Sequence, residues 1–125
     1  MNRTQWVDKL WLYATGGCRR KMRILRFCVD GQKLQRDPKS DFSGIIRGSR
    51  GYLQCSFNLS KEWSGCKIAA SFWHYDKEID AAPVSGGNCT IPDSVTDYRE
   101  FEISLVGVRK GYRITTNRVK IEQEV

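Results

Sequence analysis

The stretch Gly51–Phe72, GYLQCSFNLSKEWSGCKIAASF, sets the tightest limit on what this chain can fold into. Between Tyr52 and Leu59, the residues Leu53, Cys55, Phe57 and Leu59 alternate with Gln54, Ser56 and Asn58. That is the period of a strand with one face buried and the other wet. A polar turn, Ser60–Gly65, carries one large aromatic, Trp63. A second alternation follows, with Ile68, Ala70 and Phe72 on one side and Lys67, Ala69, Ser71 and Trp73 on the other. Trp63 is expected to plug the end of the core between these strands, because an indole brings a large apolar body with a single donor to satisfy.

The pattern extends in both directions. Ile24–Val29 reads as a strand, and Asp30-Gly31 as a turn into Gln32–Gln35, a hairpin with Arg23 and Arg26 near its solvated side. Arg36–Ser43 contains Asp37-Pro38 and reads as a loop, followed by a short strand at Ile45-Ile46. Beyond Tyr75 come a short strand around Ile79 and a loop from Ala82-Pro83 to Gly86-Gly87. Cys89–Ile91 reads as an edge strand that Pro92 terminates. Asp93–Tyr98 suits one helical turn. Phe101, Ile103 and Leu105 alternate with Glu100, Glu102 and Ser104 in a long strand, Gly107–Gly111 turns, and Tyr112–Ile121 runs back. Strands about 8 to 12 residues apart with turn signals between them predict an all-β, immunoglobulin-like antiparallel β-sandwich over residues 22–125.

The first 21 residues differ in kind. Asn2 suits a helix N-cap with Gln5 three residues on, and Trp6, Leu10 and Tyr13 recur at helical spacing before Gly16-Gly17. The expected helix, Thr4–Ala14, also carries Val7 and Trp11. It is too apolar to lie free in water and, at about three turns, too short to be stable alone. It needs a surface to pack on, either its own domain's sheet or a neighbouring subunit. A basic connector, Cys18-Arg19-Arg20-Lys21-Met22-Arg23, joins it to the domain. The net charge of +7 is uneven: residues 1–50 hold 12 Lys and Arg against 4 Asp, whereas residues 51–125 hold 9 against 10 Asp and Glu. The basic half can face nucleic acid, an acidic protein surface or solvent. Nucleic-acid recognition usually wants aromatics interleaved with the basic residues, and Phe27 is the only aromatic between Arg19 and Arg36, which weighs against it.

Chemistry is sparse. The one histidine, His74, lies in a strand of Phe72-Trp73-His74-Tyr75, and no GxSxG, HExxH or glycine-rich phosphate loop accompanies it. No enzymatic activity is expected. Trp73 and Tyr75 either pack across strands or form a platform for stacking a sugar. The five cysteines lack paired metal-ligand spacing and are expected to be reduced core residues, with no metal and no cofactor. No run approaches the roughly 20 apolar residues that span a membrane, and the start lacks the apolar core of a signal peptide.

A series of short stretches resembles a known family: a glycine-rich turn into a strand ending at Phe57, Ser60-Lys61-Glu62-Trp63-Ser64-Gly65-Cys66, Ala69–Phe72, Cys89–Pro92, Phe101–Gly107 and Arg113–Asn117. Together, over residues 22–123, they resemble the immunoglobulin-like domain at the N-terminus of tailed-phage baseplate upper proteins and related fibres. The resemblance implies a virion component, made in the bacterial host cytoplasm, that attaches to other phage proteins in many symmetric copies without catalysis. Family members continue into a long trimeric fibre, whereas this sequence stops at Val125 and carries an extra basic helical arm. An accessory capsid protein or a baseplate or tail component is therefore expected, with Trp6, Leu10, Trp11, Tyr13, Arg19, Arg20, Lys21 and Arg23 as its anchor.

Overall fold

The two alternating runs of the central stretch become neighbours in sequence that belong to different sheets. The computed structural model describes residues 22–124, and nine strands are named within them: β1 (Arg23–Asp30), β2 (Lys33–Arg36), β3 (Leu53–Leu59), β4 (Lys67–His74), β5 (Lys77–Val84), β6 (Asn88–Thr90), β7 (Glu100–Arg109), β8 (Tyr112–Thr115) and β9 (Val119–Glu122). A four-residue helix, α1 (Asp93–Thr96), precedes β7. One sheet has the order β2-β1-β3-β6 and the other β5-β4-β7-β8, with β9 also paired to β7. The described residues are thus mostly β, with two sheets over one core and almost no helix. The expected helix Thr4–Ala14 and the boundary drawn after residue 21 lie outside the described residues.

The sandwich was expected to be antiparallel throughout, and one pair corrects this. β1 and β3 run parallel, from Arg23 opposite Leu53 to Val29 opposite Leu59. The connection after the short β2 carries the chain back along the sheet, so β3 restarts at the same end as β1. Arg23 holds that connection in place: its guanidinium donates to the carbonyls of Gly44 and Asp41, each at 3.1 Å, and to that of Ser43.

Inward-facing residues of both sheets form a continuous core. Leu25, Phe27, Leu53 and Cys55 come from the first sheet, and Phe72, Phe101, Ile103, Leu105 and Ile121 from the second. Phe27 stacks on Phe57 at 5.3 Å between ring centroids and meets Phe42 edge-on. Trp63 sits in a 3-10 turn, Lys61–Trp63, between β3 and β4, and is 2% exposed. Its indole N–H donates to the carbonyl of Gly31 at 2.8 Å, in the β1–β2 turn. The plug expected from the sequence is therefore present, with its one donor satisfied.

Four local expectations change. Gly107 does not start a turn: β7 runs on to Arg109, and the glycine is required because a Cβ there would sit 2.8 Å from the Trp63 ring. The loop expected from Ala82 is instead the end of β5, where Pro83 is tolerated because β5 is an edge strand. Ile45 is buried, but the expected strand there amounts to a single bridge from Ile46 to Glu124. The run Tyr112–Ile121 is also not one strand. It breaks at Thr116-Asn117-Arg118, so that β8 and β9 share the same edge of β7. Thr116 bridges the break, donating its N–H to Leu105 O at 3.0 Å and accepting the Leu105 N–H on its hydroxyl at 2.9 Å.

Candidate functional site

A cleft with a dense polar and aromatic lining lies where β4 ends. His74 closes that strand, and Tyr75 follows with a φ of 56°, the one non-glycine residue with positive φ among those described. Such a conformation is costly for a side chain that carries a Cβ, and strain of this kind clusters at functional sites. It leaves Tyr75 71% exposed while its ring packs against His74, 4.4 Å between centroids. Tyr98, which follows α1, packs on the same imidazole at 4.4 Å. His74 is thus shared between two phenols, half-buried at the rim rather than in the core.

The cleft has a volume of about 550 Å³, and Arg47, Asp97, Arg99, Glu100, Glu122 and Gln123 complete its walls. Arg47 is fixed by its N–H bond to Glu124 O at 2.9 Å. Gln123 is buried and donates its side-chain N–H groups to Tyr98 O at 2.7 Å and Thr96 O at 3.3 Å, which clamps the segment that presents Tyr98. Its Oε1 is a buried acceptor without a hydrogen-bond partner. At the mouth, Lys120 holds Glu100 at 2.9 Å, and this hydrogen bond keeps the Glu100 carboxyl below its ordinary value and Lys120 above its own. Aromatic faces with charges of both signs around them suit a neutral, hydroxyl-bearing ring better than a strongly anionic ligand.

Among the residues expected to carry function, Trp6, Leu10, Trp11, Tyr13, Arg19, Arg20 and Lys21 lie outside the described residues. Arg23 is described, and its guanidinium is committed to the three carbonyls of the connection after β2. Of the two roles open to Trp73 and Tyr75, packing across strands or a shared platform, the platform is not formed. The guanidinium of Arg118 covers the Trp73 ring at 3.9 Å, the Trp73 N–H donates to Ser104 Oγ at 3.0 Å, and Tyr75 stacks on His74 instead. Tyr98, Arg47, Arg99 and Gln123 were not singled out from the sequence, since they come from separate segments with no shared spacing.

Two further arginines of the basic half are also occupied internally. Arg36 lies 4.8 Å from the centre of the Phe42 ring and donates to Lys120 O, and Arg50 binds Asp97 and Thr96 Oγ1, each at 2.9 Å. A different surface stands out on the second sheet. Its outward positions Ala69, Ala81, Pro83, Val106 and Val108, together with Lys67, line a shallow depression of about 360 Å³ that is more apolar than a solvated sheet face usually is.

Among the described residues, no group of three or more His, Cys, Asp or Glu is placed to hold a metal ion, and no helix is long and apolar enough to cross a membrane. No family model, curated protein or solved structure matches this chain.

Proposed function

We propose that this chain is a non-enzymatic structural protein of a tailed-phage particle, an immunoglobulin-like sandwich that docks on other capsid, baseplate or tail proteins through its N-terminal segment. The observation that best supports this reading is an apolar patch on the outward face of the second sheet. Ala69, Ala81, Pro83, Val106 and Val108 give it the character of a surface that packs against protein. The internal use of Arg23, Arg36 and Arg50 supports a protein partner over nucleic acid, because guanidiniums held by carbonyls and a carboxylate are less available to neutralise phosphates. The anchor is the segment with Trp6, Leu10, Trp11 and Tyr13, oriented by Arg19, Arg20 and Lys21, whereas Arg23 is spent on the connection after β2. A chain lacking residues 1–21 is expected to melt cooperatively, close to the full protein, and to be lost from purified particles. Deletion that abolishes the cooperative melt would place the segment in the domain's own core. Retention of the truncated chain on particles would remove the anchor role.

The aromatic cleft favours a second reading, a module that holds a neutral carbohydrate for host attachment. It rests on the stack of Tyr75, His74 and Tyr98 in a backbone conformation that costs stability. Titration with neutral oligosaccharides, followed by amide and aromatic NMR shifts, should move Tyr75 and Tyr98 first. Shifts scattered elsewhere would discard this reading.

A further inference from the structure

Cys55 and Cys89 stand directly opposite each other on the antiparallel strands β3 and β6. Ile91 N–H donates to Leu53 O at 3.0 Å, and Phe57 N–H donates to Gly87 O at 2.7 Å. Those pairs lie two residues to either side, so the cysteines occupy a hydrogen-bonded position of the ladder. Positions of this kind set the two Cα atoms about 5.5 Å apart, within the span of about 4.4 to 6.8 Å that a disulfide bridges. Both side chains turn into the core, and both thiols are free. The remaining described cysteines lack such a partner: Cys28 faces Gln35 and Asn58, and Cys66 lies outside the strands.

The two thiols differ in access. Cys89 is 6% exposed and lines an open depression of about 300 Å³ together with Gln54, Ala82, Pro83, Asn88 and Thr90. Cys55 is fully buried and lines none of it. We propose that Cys89 and Cys55 form a redox pair, in which Cys89 accepts a thiol adduct from a small-molecule disulfide and Cys55 resolves it into a bond across β3 and β6. The Cys89 thiolate attacks one sulfur of the disulfide and releases the first thiolate. Cys55 then gives up its proton and attacks the Cys89 sulfur, which releases the second. The two protein thiols are oxidised, the disulfide is reduced to two small thiols, and the two protons pass to the leaving sulfurs. Acid–base character supports the same order. The thiol hydrogen bond from Cys55 holds Cys89 below the ordinary value, while that bond and burial push Cys55 up.

β6 is three residues long and lies at the edge of its sheet, so the bond would tie a short edge strand covalently to the sheet interior. The test incubates the reduced full-length protein with oxidised glutathione, alkylates it after unfolding and maps the peptides by mass spectrometry. Two of the five thiols should disappear, a single peptide pair should join Cys55 to Cys89, and the melting midpoint should rise. Cys55→Ala should stop at a glutathione adduct on Cys89, and Cys89→Ala should leave Cys55 reduced. Five alkylated thiols, or a bond involving Cys18, Cys28 or Cys66, would overturn the pairing. Modification of Cys55 in Cys89→Ala would overturn the order of attack.

Discussion

The side-chain amide of Asn117 pairs with the backbone of Leu34, donating from Nδ2 to the carbonyl at 3.0 Å and accepting the N–H on Oδ1 at 2.7 Å. Leu34 belongs to β2, an edge of the first sheet, whereas Asn117 lies in the break between β8 and β9 on the second. The amide therefore acts as one residue of extra strand and, with the Asn117 N–H that donates to Gln32 O at 3.3 Å, ties the sheets together.

Replacing Asn117 with Ala leaves both Leu34 groups without partners in a part-buried place. A loss of about 1 to 3 kcal/mol is expected, the usual penalty for stranding buried polar groups. Asn117→Asp should fall short of rescue, because the carboxylate keeps the acceptor but cannot donate to Leu34 O. Urea melts of the three proteins check this. Coincident midpoints for Asn117→Ala and the parent would mean that water replaces the amide.

Gly107 and Trp63 should behave as a coupled pair. A methyl at Gly107 would lie 2.8 Å from two atoms of the indole, so Gly107→Ala should cost about 1 to 3 kcal/mol through overpacking. Trp63→Ala should cost about 3 to 5 kcal/mol, as large aromatic truncations do. In the double variant the methyl enters space vacated by the ring, and the loss should be clearly smaller than the sum of the two single losses. Full additivity in a double-mutant cycle would show that the chain relieves the clash elsewhere.

Much of this architecture could be read from the residues. The alternations in β3 and β4, the Asp30-Gly31 hairpin and the Trp63 plug each follow from one local pattern. The parallel pairing of β1 with β3 could not, because alternation along a strand is the same whichever way its neighbour runs. The break between β8 and β9 was encoded more subtly. Ile114 and Ile121 are both buried yet seven residues apart, an odd spacing that one straight strand would place on opposite faces. The cleft was the least legible part, since Arg47, His74, Tyr98 and Gln123 meet only after β4, β7 and β9 have found their registers.

Stability should change little between about pH 5 and pH 8 and fall outside that range. Asp41, Glu62, Asp80 and Glu100 are held below their ordinary values of 3.8 for Asp and 4.5 for Glu. Hydrogen bonds from Ser43, Ser60, Ser94 and Lys120, respectively, are the leading causes. A depressed carboxyl stabilises the fold above its unfolded value, and that contribution is lost as pH falls through the folded one. Lys120 is raised above 10.5 by Glu100, so its contribution is complete below 10.5 and disappears as pH rises through the folded value. Melting midpoints across pH for the parent and Glu100→Gln separate these effects. The variant should lose part of both slopes, and unchanged alkaline behaviour would show that the Glu100–Lys120 pair does not contribute there.

Tyr75 offers a way to separate what the fold needs from what a ligand would need. Its φ of 56° places the Cβ against its own backbone, a penalty of about 1 to 2 kcal/mol for an L-residue. Glycine removes that penalty but gives the unfolded chain more freedom, at a cost of up to about 1 kcal/mol. Because the ring is largely exposed, little burial is lost with it. Tyr75→Gly is therefore expected to be neutral or up to about 1 kcal/mol more stable, unlike substitution by Val, whose branched Cβ makes the strain worse. The Gly variant should also free one face of His74 and leave Tyr98 as its remaining aromatic neighbour, visible as shifts of the imidazole protons. A clear loss of stability in Tyr75→Gly would mean that the stack on His74 holds the end of β4 in place. A neutral or more stable variant would leave no folding requirement for the strained tyrosine, and the cleft it lines would be the remaining reason for it.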